Sequence, residues 1–318
     1  MASKLLLSAL RPYASNKNTG NLYEIAVALD LIRKMGVDDA VFGANQDTID
    51  KIVACNDKKG DEIRSLFNEI KKKPVGSGLV FDGLSVSDII CATQDDSVGT
   101  GDFQLVTSAG IKTLSVCAGS VKRGGGIEKC LTNPSARRFG CTDADIDSFR
   151  RIEADAVTSY KRYMTDRCGL DEAAWPSRLS TPVAVDACGR VALATAERFR
   201  GLSPMAKTCI VNDILRIDGL QRPADYLALV NWKKRAISYF AFGDLRIGAD
   251  TGFTMDADGI YLRIKAGDKT IGSTQVKFNN GVYHKGKTSS IHSSWNATFL
   301  LTDVFAIKPI ATEMLPRA

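Results

Sequence analysis

The spacing of hydrophobic residues predicts a helical region near the amino terminus. Across residues 18–36 almost every helical position is apolar, which is typical of a helix buried on most of its surface. Asn21 is placed to cap this helix, and Glu24, three residues later, is placed to complete a capping box. Amphipathic spacing predicts two further helices, near residues 47–56 and 61–73.

Farther along the chain, strands and helices alternate. β-Branched and aromatic residues separated by Gly and Asp predict three or four strands within residues 78–119. A helix capped by Thr142 is expected to run to about residue 167, and one that begins at Thr181-Pro182 is expected to run to about residue 200. After about residue 224, successive short apolar segments predict strands again.

This order of elements predicts the α/β class. We expect a central mixed β-sheet flanked by helices, with a β-rich carboxyl-terminal part. No linker, internal repeat or low-complexity segment interrupts the chain, which favours a single domain over residues 1–318. The alternative is a subdivision into a core at residues 1–222 and a β-rich subdomain at residues 223–318.

Composition narrows the class of protein. The 318 residues are 44% hydrophobic, as in a globular protein, and they include no apolar run of about 18 residues that would span a membrane. Eight cysteines without a CxxC pair and only two histidines argue against a structural zinc site. This cysteine usage predicts a reducing, intracellular compartment, either cytoplasm or nucleus, and is compatible with a viral protein. The net charge of +6 permits a polyanionic partner without requiring one.

Residues 101–117 predict a β-hairpin with a carboxylate at one end. Asp102 begins the first strand, and Ser115 and Cys117 lie on one face of the second strand. Upstream, Glu24 lies on the buried helix. Nucleases that use a divalent metal need this kind of arrangement, in which two or three carboxylates hold Mg²⁺ and a lysine stabilises charge on the phosphate.

These residues resemble the PD-(D/E)xK family, which has the restriction-endonuclease-like fold. Its pattern is a helix with a glutamate, a strand with an aspartate, and a strand that ends in acid-x-Lys before a helix. Glu24 matches the helix glutamate and Asp102 matches the strand aspartate, over a resemblance that covers about residues 15–140. Ser115 stands at the acid position and Cys117 at the lysine position, and neither is a hard metal ligand or a cation.

The resemblance implies a DNA-directed, Mg²⁺-dependent phosphodiesterase similar to type II restriction endonucleases. Glu24 and Asp102 would be the metal ligands, Lys122 a substitute cation, and Ser115 a weak ligand or a bystander. Double-stranded DNA is the implied partner, and a homodimer would suit a palindromic site. Two alternatives stay open: an inactive nuclease-like fold that binds nucleic acid or builds a particle or complex, and an α/β enzyme that binds a small phosphorylated ligand.

Simpler explanations apply to the same residues. Glu24 is also explained as a capping-box residue, and Asp102 as a turn residue after a Gly-Thr-Gly sequence. Cys117 is also explained as a core cysteine, since no histidine lies near it in the sequence to activate its thiol.

Two basic segments predict contacts with DNA phosphates. In residues 119–138, three consecutive glycines could bring backbone N–H groups close to an anion, and a helix beginning near Gly126 would add positive charge at its amino terminus. The alternative is a solvated loop. The candidate nucleic-acid-binding residues of this segment are Lys122, Arg123, Gly124, Gly125, Lys129, Arg137 and Arg138.

The second basic segment, residues 263–292, has six Lys or Arg residues and only Asp268 as an acid. Tyr283 and Trp295 are candidates for stacking on bases. The alternative is that the lysines protect sheet edges from aggregation. The candidate nucleic-acid-binding residues here are Lys277, His284, Lys285 and Lys287.

Overall fold

The chain forms two compact units, and each is built from separate chain segments. The first unit contains Met1–Ile127, Gly219–Asp244 and Phe305–Ala318, and the second contains Glu128–Asp218 and Leu245–Val304. Both units therefore take residues from either side of residue 222, where the alternative subdivision would divide the chain. The structure is a computed structural model, and it describes residues 9–15, 21–56, 59–92, 101–119, 121–122, 125–172, 181–215, 224–248, 251–279, 281–284 and 287–315.

Within its described residues, the first unit has four α-helices, and α1 is the central one. The helices are α1 (Asn21–Lys34), α2 (Asp39–Ala44), α3 (Gln46–Cys55) and α4 (Gly60–Lys71). Ile25 to Leu29 of α1 are fully buried, as its nearly uniform hydrophobicity predicts. The three predicted helices are thus confirmed. Asn21 is the first residue of α1, so the position that would cap the helix lies outside the described residues.

The first unit also contains a seven-stranded sheet, here called the mixed sheet. Its strands follow the order β1-β2-β3-β4-β6-β7-β14. β1 to β4 form an antiparallel meander, β6 is parallel to β4, and β7 is antiparallel to β6. The strand bounds are β1 (Leu79–Phe81), β2 (Leu84–Cys91), β3 (Phe103–Thr107), β4 (Gly110–Ala118), β6 (Tyr226–Asn231), β7 (Ala236–Leu245) and β14 (Phe305–Met314).

Helix α1 packs on the mixed sheet over β4 and β6. The core between them includes Leu114 of β4 and Ala228 and Val230 of β6, which lie on one face because strand side chains alternate. The predicted α/β class and the mixed sheet are therefore confirmed.

The second unit is built on a five-stranded antiparallel sheet with the order β5-β13-β10-β9-β8. Its strands are β5 (Glu128–Thr132), β8 (Phe253–Asp258), β9 (Tyr261–Ala266), β10 (Lys269–Gln275) and β13 (Asn296–Leu300). A small hairpin joins β11 (Tyr283–His284) to β12 (Lys287–Thr288). The β-rich carboxyl-terminal part is confirmed, although three of its strands, β6, β7 and β14, belong to the mixed sheet.

The helices of the second unit begin at the residues that the sequence indicates. Thr142 caps α5 (Asp143–Arg162) through a capping box with Asp145, and Thr181 caps α6 (Pro182–Arg200). Helices α7 (Pro204–Leu215) and α8 (Leu301–Val304) complete the α-helices that the structure describes in this unit, and a 3₁₀-helix (Ala136–Phe139) and a π-helix (Tyr163–Arg167) lie on either side of α5. Across the described parts of both units, no helix combines the length and the apolar character needed to cross a membrane.

Candidate functional site

The candidate site lies at the edge of the mixed sheet that is formed by the carboxyl-terminal ends of its strands β4 and β6, which are parallel neighbours inside the sheet. Asp102 directly precedes β3, and its backbone N–H donates to the Leu114 carbonyl at 2.9 Å. Because β3 and β4 are antiparallel, the beginning of β3 lies beside the end of β4. The fold therefore brings Asp102 next to Ser115, at the acid position of the resembled motif.

The Asp102 carboxylate is held in place by the neighbouring strand. Its Oδ2 accepts the Val116 backbone N–H at 2.5 Å and the Ser115 hydroxyl at 3.3 Å. Both hydrogen bonds end on Oδ2, so Oδ1 carries neither of them. Ser115 therefore acts on Asp102, by orienting its carboxylate.

Glu24 approaches Asp102 from helix α1. Burial, and after it the negative charge of Asp102, raise the pKa of Glu24 to about 6, against the lowering effect of a hydrogen bond with the Tyr13 hydroxyl. The two carboxylates are thus close enough to interact electrostatically. They come from a helix and a strand that are far apart in the sequence.

Tyr13 and Cys91 complete this cluster, and the sequence analysis missed both. Tyr13 is fully buried, and the Cys91 thiol lies 3.6 Å from its hydroxyl. Burial also raises the pKa of Cys91. Cys91 could have been found from the hairpin pattern, since it pairs with Phe103, the residue after Asp102. No sequence signal points to Tyr13.

The cation of the resembled motif has no equivalent on β4. Cys117 is half-buried at the lysine position. Lys112 lies near the opposite end of the strand, where its Nζ is 3.3 Å from Asp225 Oδ1. Lys122, the predicted substitute, is exposed in the loop after β4.

In the described part of the glycine-rich segment after β4, backbone hydrogen bonds form a turn, and no helix begins near Gly126. The Lys122 N–H donates to the Gly126 carbonyl at 2.8 Å, and the Gly125 N–H donates to the Lys122 carbonyl at 3.0 Å. Gly125 has a φ of +85°, which favours glycine. The N–H of Gly125 is therefore used within the turn, while Arg123 and Gly124 lie outside the described residues.

Strand pairing explains why a helix does not begin at this point. The chain enters β5 at Glu128, and Lys129 lies opposite Phe299 of β13. This partner is about 170 residues away in the sequence, so the local pattern could not reveal it.

Arg137 and Arg138 lie in a 3₁₀ turn of the second unit and are paired with carboxylates. Arg137 forms an ion pair with Asp143, and the Arg138 Nε donates to Asp213 at 2.8 Å. Their charges are therefore already partly neutralised.

Three of the six basic residues of the second basic segment are paired with acids in the same way. In the antiparallel sheet, Lys265 Nζ lies 2.6 Å from Asp256 and Lys269 Nζ lies 2.8 Å from Asp303. Arg263 also pairs, at 3.1 Å, with the aspartate at position 258. These acids lie on β8 and α8, outside the basic stretch itself, so a count along the sequence overlooked them.

Lys277 differs because its partner is uncharged: its Nζ donates to the Asn296 side chain at 3.0 Å. His284 pairs with Lys287 across the β11–β12 hairpin, and this backbone pairing is all that the structure describes of the two residues. Lys285 lies outside the described residues.

The predicted stacking groups of the second unit are engaged in packing. Trp295 is fully buried, stacks on Phe139 with ring centroids 5.7 Å apart, and donates its ring N–H to the Ile291 carbonyl at 2.6 Å. The Tyr283 hydroxyl donates to Glu172 at 2.5 Å. The interpretation of these two rings as base-stacking groups is therefore wrong.

The donor atoms at the mixed-sheet edge suit a small oxygen-bound cation. Among the described residues, no group of three or more His, Cys, Asp or Glu side chains is arranged to hold a metal ion. The candidate donor set is therefore limited to two carboxylates, those of Glu24 and Asp102. This set fits Mg²⁺, because Mg²⁺ often binds to proteins through one or two carboxylates and retains several water ligands. Comparison of the chain with models of known families, with curated proteins and with solved structures found no match.

Proposed function

We propose that the protein is a Mg²⁺-dependent phosphodiesterase that acts on double-stranded DNA, with a restriction-endonuclease-like first unit. The observation that supports this proposal is the pairing of Glu24 with Asp102. Two carboxylates in a partly buried position repel each other unless a proton or a cation lies between them. The raised pKa of Glu24 is the expected result of burial beside another negative charge.

Each protein group in the cluster has a positioning role that follows from its contacts. Ser115 and the Val116 N–H orient Asp102, and the Tyr13 hydroxyl donates to Glu24. Glu24 and Asp102 would hold the cation. When bound, Mg²⁺ supplies Lewis-acid stabilisation of charge on the phosphoryl oxygens.

The weak point of this site is the missing lysine at position 117. Removal of one group that stabilises charge in a transition state typically lowers the rate by about 10²–10³-fold. A cysteine side chain carries no positive charge, so we expect slow cleavage, with Lys122 as the candidate substitute on the following loop.

A second candidate function is favoured by the same departure. Ser115 and Cys117 together replace both chemically active residues of the acid-x-Lys motif. A nuclease-like fold that lost catalysis and retained nucleic-acid binding would show this pattern. The two candidates differ in one respect, which is whether the native chain cleaves DNA.

The test compares cleavage of supercoiled plasmid in Mg²⁺ or Mn²⁺ by the native chain and by Asp102→Asn, Glu24→Gln and Cys117→Lys variants. Asp88→Asn is a matched control because Asp88 is also half-buried in the mixed sheet, and among the described residues its side chain accepts one hydrogen bond, from the adjacent Ile89 N–H. We expect native cleavage to be lost in the first two variants, raised in the third and unchanged in the control.

The outcomes separate the candidates. Cleavage by Cys117→Lys alone would select the second function and retain the metal site. Native cleavage that persists in Asp102→Asn would overturn the proposed site, as would the absence of both cleavage and metal-dependent thermal stabilisation in every variant.

A further inference from the structure

The turn between β6 and β7 carries a basic sequence that the motif comparison did not single out. Trp232, Lys233, Lys234 and Arg235 follow one another in this turn. The Lys233 and Lys234 side chains are exposed, and within the described part of the chain no carboxylate pairs with either of them. The turn is closed by the Asn231 side chain, which accepts the Lys234 N–H at 3.1 Å. Two adjacent ammonium groups are therefore displayed on a defined backbone.

The topology of the sheet places this turn at the same edge as the carboxylate pair. β6 is parallel to β4, and Ala228 lies opposite Val116, whose N–H binds Asp102. Five residues of extended chain separate Ala228 from Lys233, a span of at most about 17 Å. The lysines and the carboxylates therefore lie well within one turn of a DNA duplex, which is about 34 Å.

Packing fixes the turn against the helix that bears Glu24. The Trp232 ring contacts Tyr23, the residue before Glu24, edge to face with centroids 6.3 Å apart. The Arg235 guanidinium lies 4.1 Å above the Trp232 ring and forms a 3.1 Å ion pair with the buried Glu69 of α4. Trp232 and Arg235 thus hold the turn against α1 and α4, whereas the two lysines between them are exposed.

We propose that Lys233 and Lys234 bind the phosphate backbone of DNA and position it over Glu24 and Asp102. A fixed pair of exposed ammonium groups suits a partner with regularly spaced negative charges. The assignment of DNA as that partner rests on the proposed function, but binding at the turn does not require cleavage. It assigns no base specificity, because lysine contacts with phosphates carry no sequence information.

The experiment measures duplex DNA binding by fluorescence anisotropy across a range of salt concentrations, in EDTA, with the full chain. The test variant is Lys233→Gln with Lys234→Gln. The matched control is Lys112→Gln with Lys308→Gln, which removes the same charge at the opposite edge of the same sheet. In that control each lysine is paired with an aspartate, Lys112 with Asp225 and Lys308 with Asp82.

We expect the turn variant to reduce the slope of log affinity against log salt by about 1.8, which corresponds to two lost phosphate contacts. The control should change the slope much less, and Lys233→Arg with Lys234→Arg should retain it. An equal loss in the control, or an unchanged slope in the turn variant, would overturn the proposal. Binding to phosphatidylserine vesicles that is tighter than binding to DNA, and lost in the turn variant, would overturn the choice of partner.

The result is separable from the outcome of the cleavage test. If the turn variant shows the expected reduction in slope but no variant cleaves DNA, DNA binding by the turn is retained and the phosphodiesterase is rejected. If cleavage depends on Asp102 but the turn variant has the same slope as the native chain, the phosphodiesterase is retained and DNA binding by the turn is rejected. A native chain that does not bind DNA at low salt would reject both.

Discussion

One basic segment of the second unit and one basic turn of the first unit differ in how their charges are paired. In the second unit, the basic segment at residues 263–292 looks strongly cationic along the sequence, yet Lys265 and Lys269 each bind an aspartate from another element. In the first unit, the short turn after β6 displays Lys233 and Lys234 without a carboxylate partner among the described residues. Spatial pairing of charges, more than their density along the chain, decides which surface attracts a polyanion.

Two described tryptophans, one in each unit, also differ in their burial. Trp295 is fully buried in the second unit, whereas Trp232 is half-buried beneath Arg235 in the first. An aromatic residue beside basic ones in the sequence therefore does not by itself indicate a nucleic-acid surface. The following predictions test these contrasts, from the largest expected effect to the smallest.

Trp295→Ala should destabilise the protein by about 3–5 kcal/mol, because it leaves a large cavity and removes a buried hydrogen bond. Trp232→Ala should cost less than half as much, since its ring is only half-buried. Urea unfolding followed by circular dichroism measures both changes. If Trp295→Ala instead weakened DNA binding with little loss of stability, the contrast between the tryptophans would fail.

The elements that the sequence predicted correctly are those specified by local patterns. α1 is apolar on almost every face, and α5 begins at Thr142 with a complete capping box, so each needs no distant partner to be identified. β5 shows the opposite case. Its identity depends on β13, far along the chain, and the glycines that precede it gave no local indication of a strand.

The candidate site divides along the same line. Asp102 and Ser115 belong to one hairpin, so their proximity follows from strand alternation and a short turn. Tyr13 joins Glu24 and Cys91 only through packing of separate elements, which no local pattern encodes. The ion pairs between strands of the second unit likewise depend on strand register. The periodicity of a sequence does not show which strands are neighbours, and therefore it does not give their register.

Glu24→Gln should change how stability depends on pH. Burial beside Asp102 raises the pKa of Glu24 from 4.5 to about 6, so the folded state binds the proton more tightly than the unfolded state. The protonated carboxyl therefore contributes to the stability of the folded state. This contribution is fully present below pH 4.5 and is lost as the pH rises through about 6. At pH 8 the charged form costs up to about 2 kcal/mol, and the glutamine variant should regain it.

Urea unfolding in EDTA at pH 4.5 and pH 8 measures this difference. The variant should exceed the native chain in stability at pH 8 only, while Asp88→Asn, which removes a carboxylate outside the cluster, should show no such gain. A gain of the same size at both pH values would mean that charge on Glu24 is not its cause. The carboxylate pair would then offer no strained site for a cation.

The smallest expected effect comes from unpairing the basic residues of the second unit. Asp256→Asn with Asp258→Asn removes the carboxylate partners of Lys265 and Arg263. Each exposed ion pair is worth about 0.5 kcal/mol, so the loss of both pairs should raise DNA affinity at low salt by about fivefold. Asp166→Asn with Asp268→Asn is the matched control, because both acids are exposed and neither forms an ion pair with any of the residues that the structure describes. Anisotropy titrations measure the difference. An equal gain in the control would show that net charge alone governs binding, and the contrast between a paired and an unpaired basic surface would lose its basis.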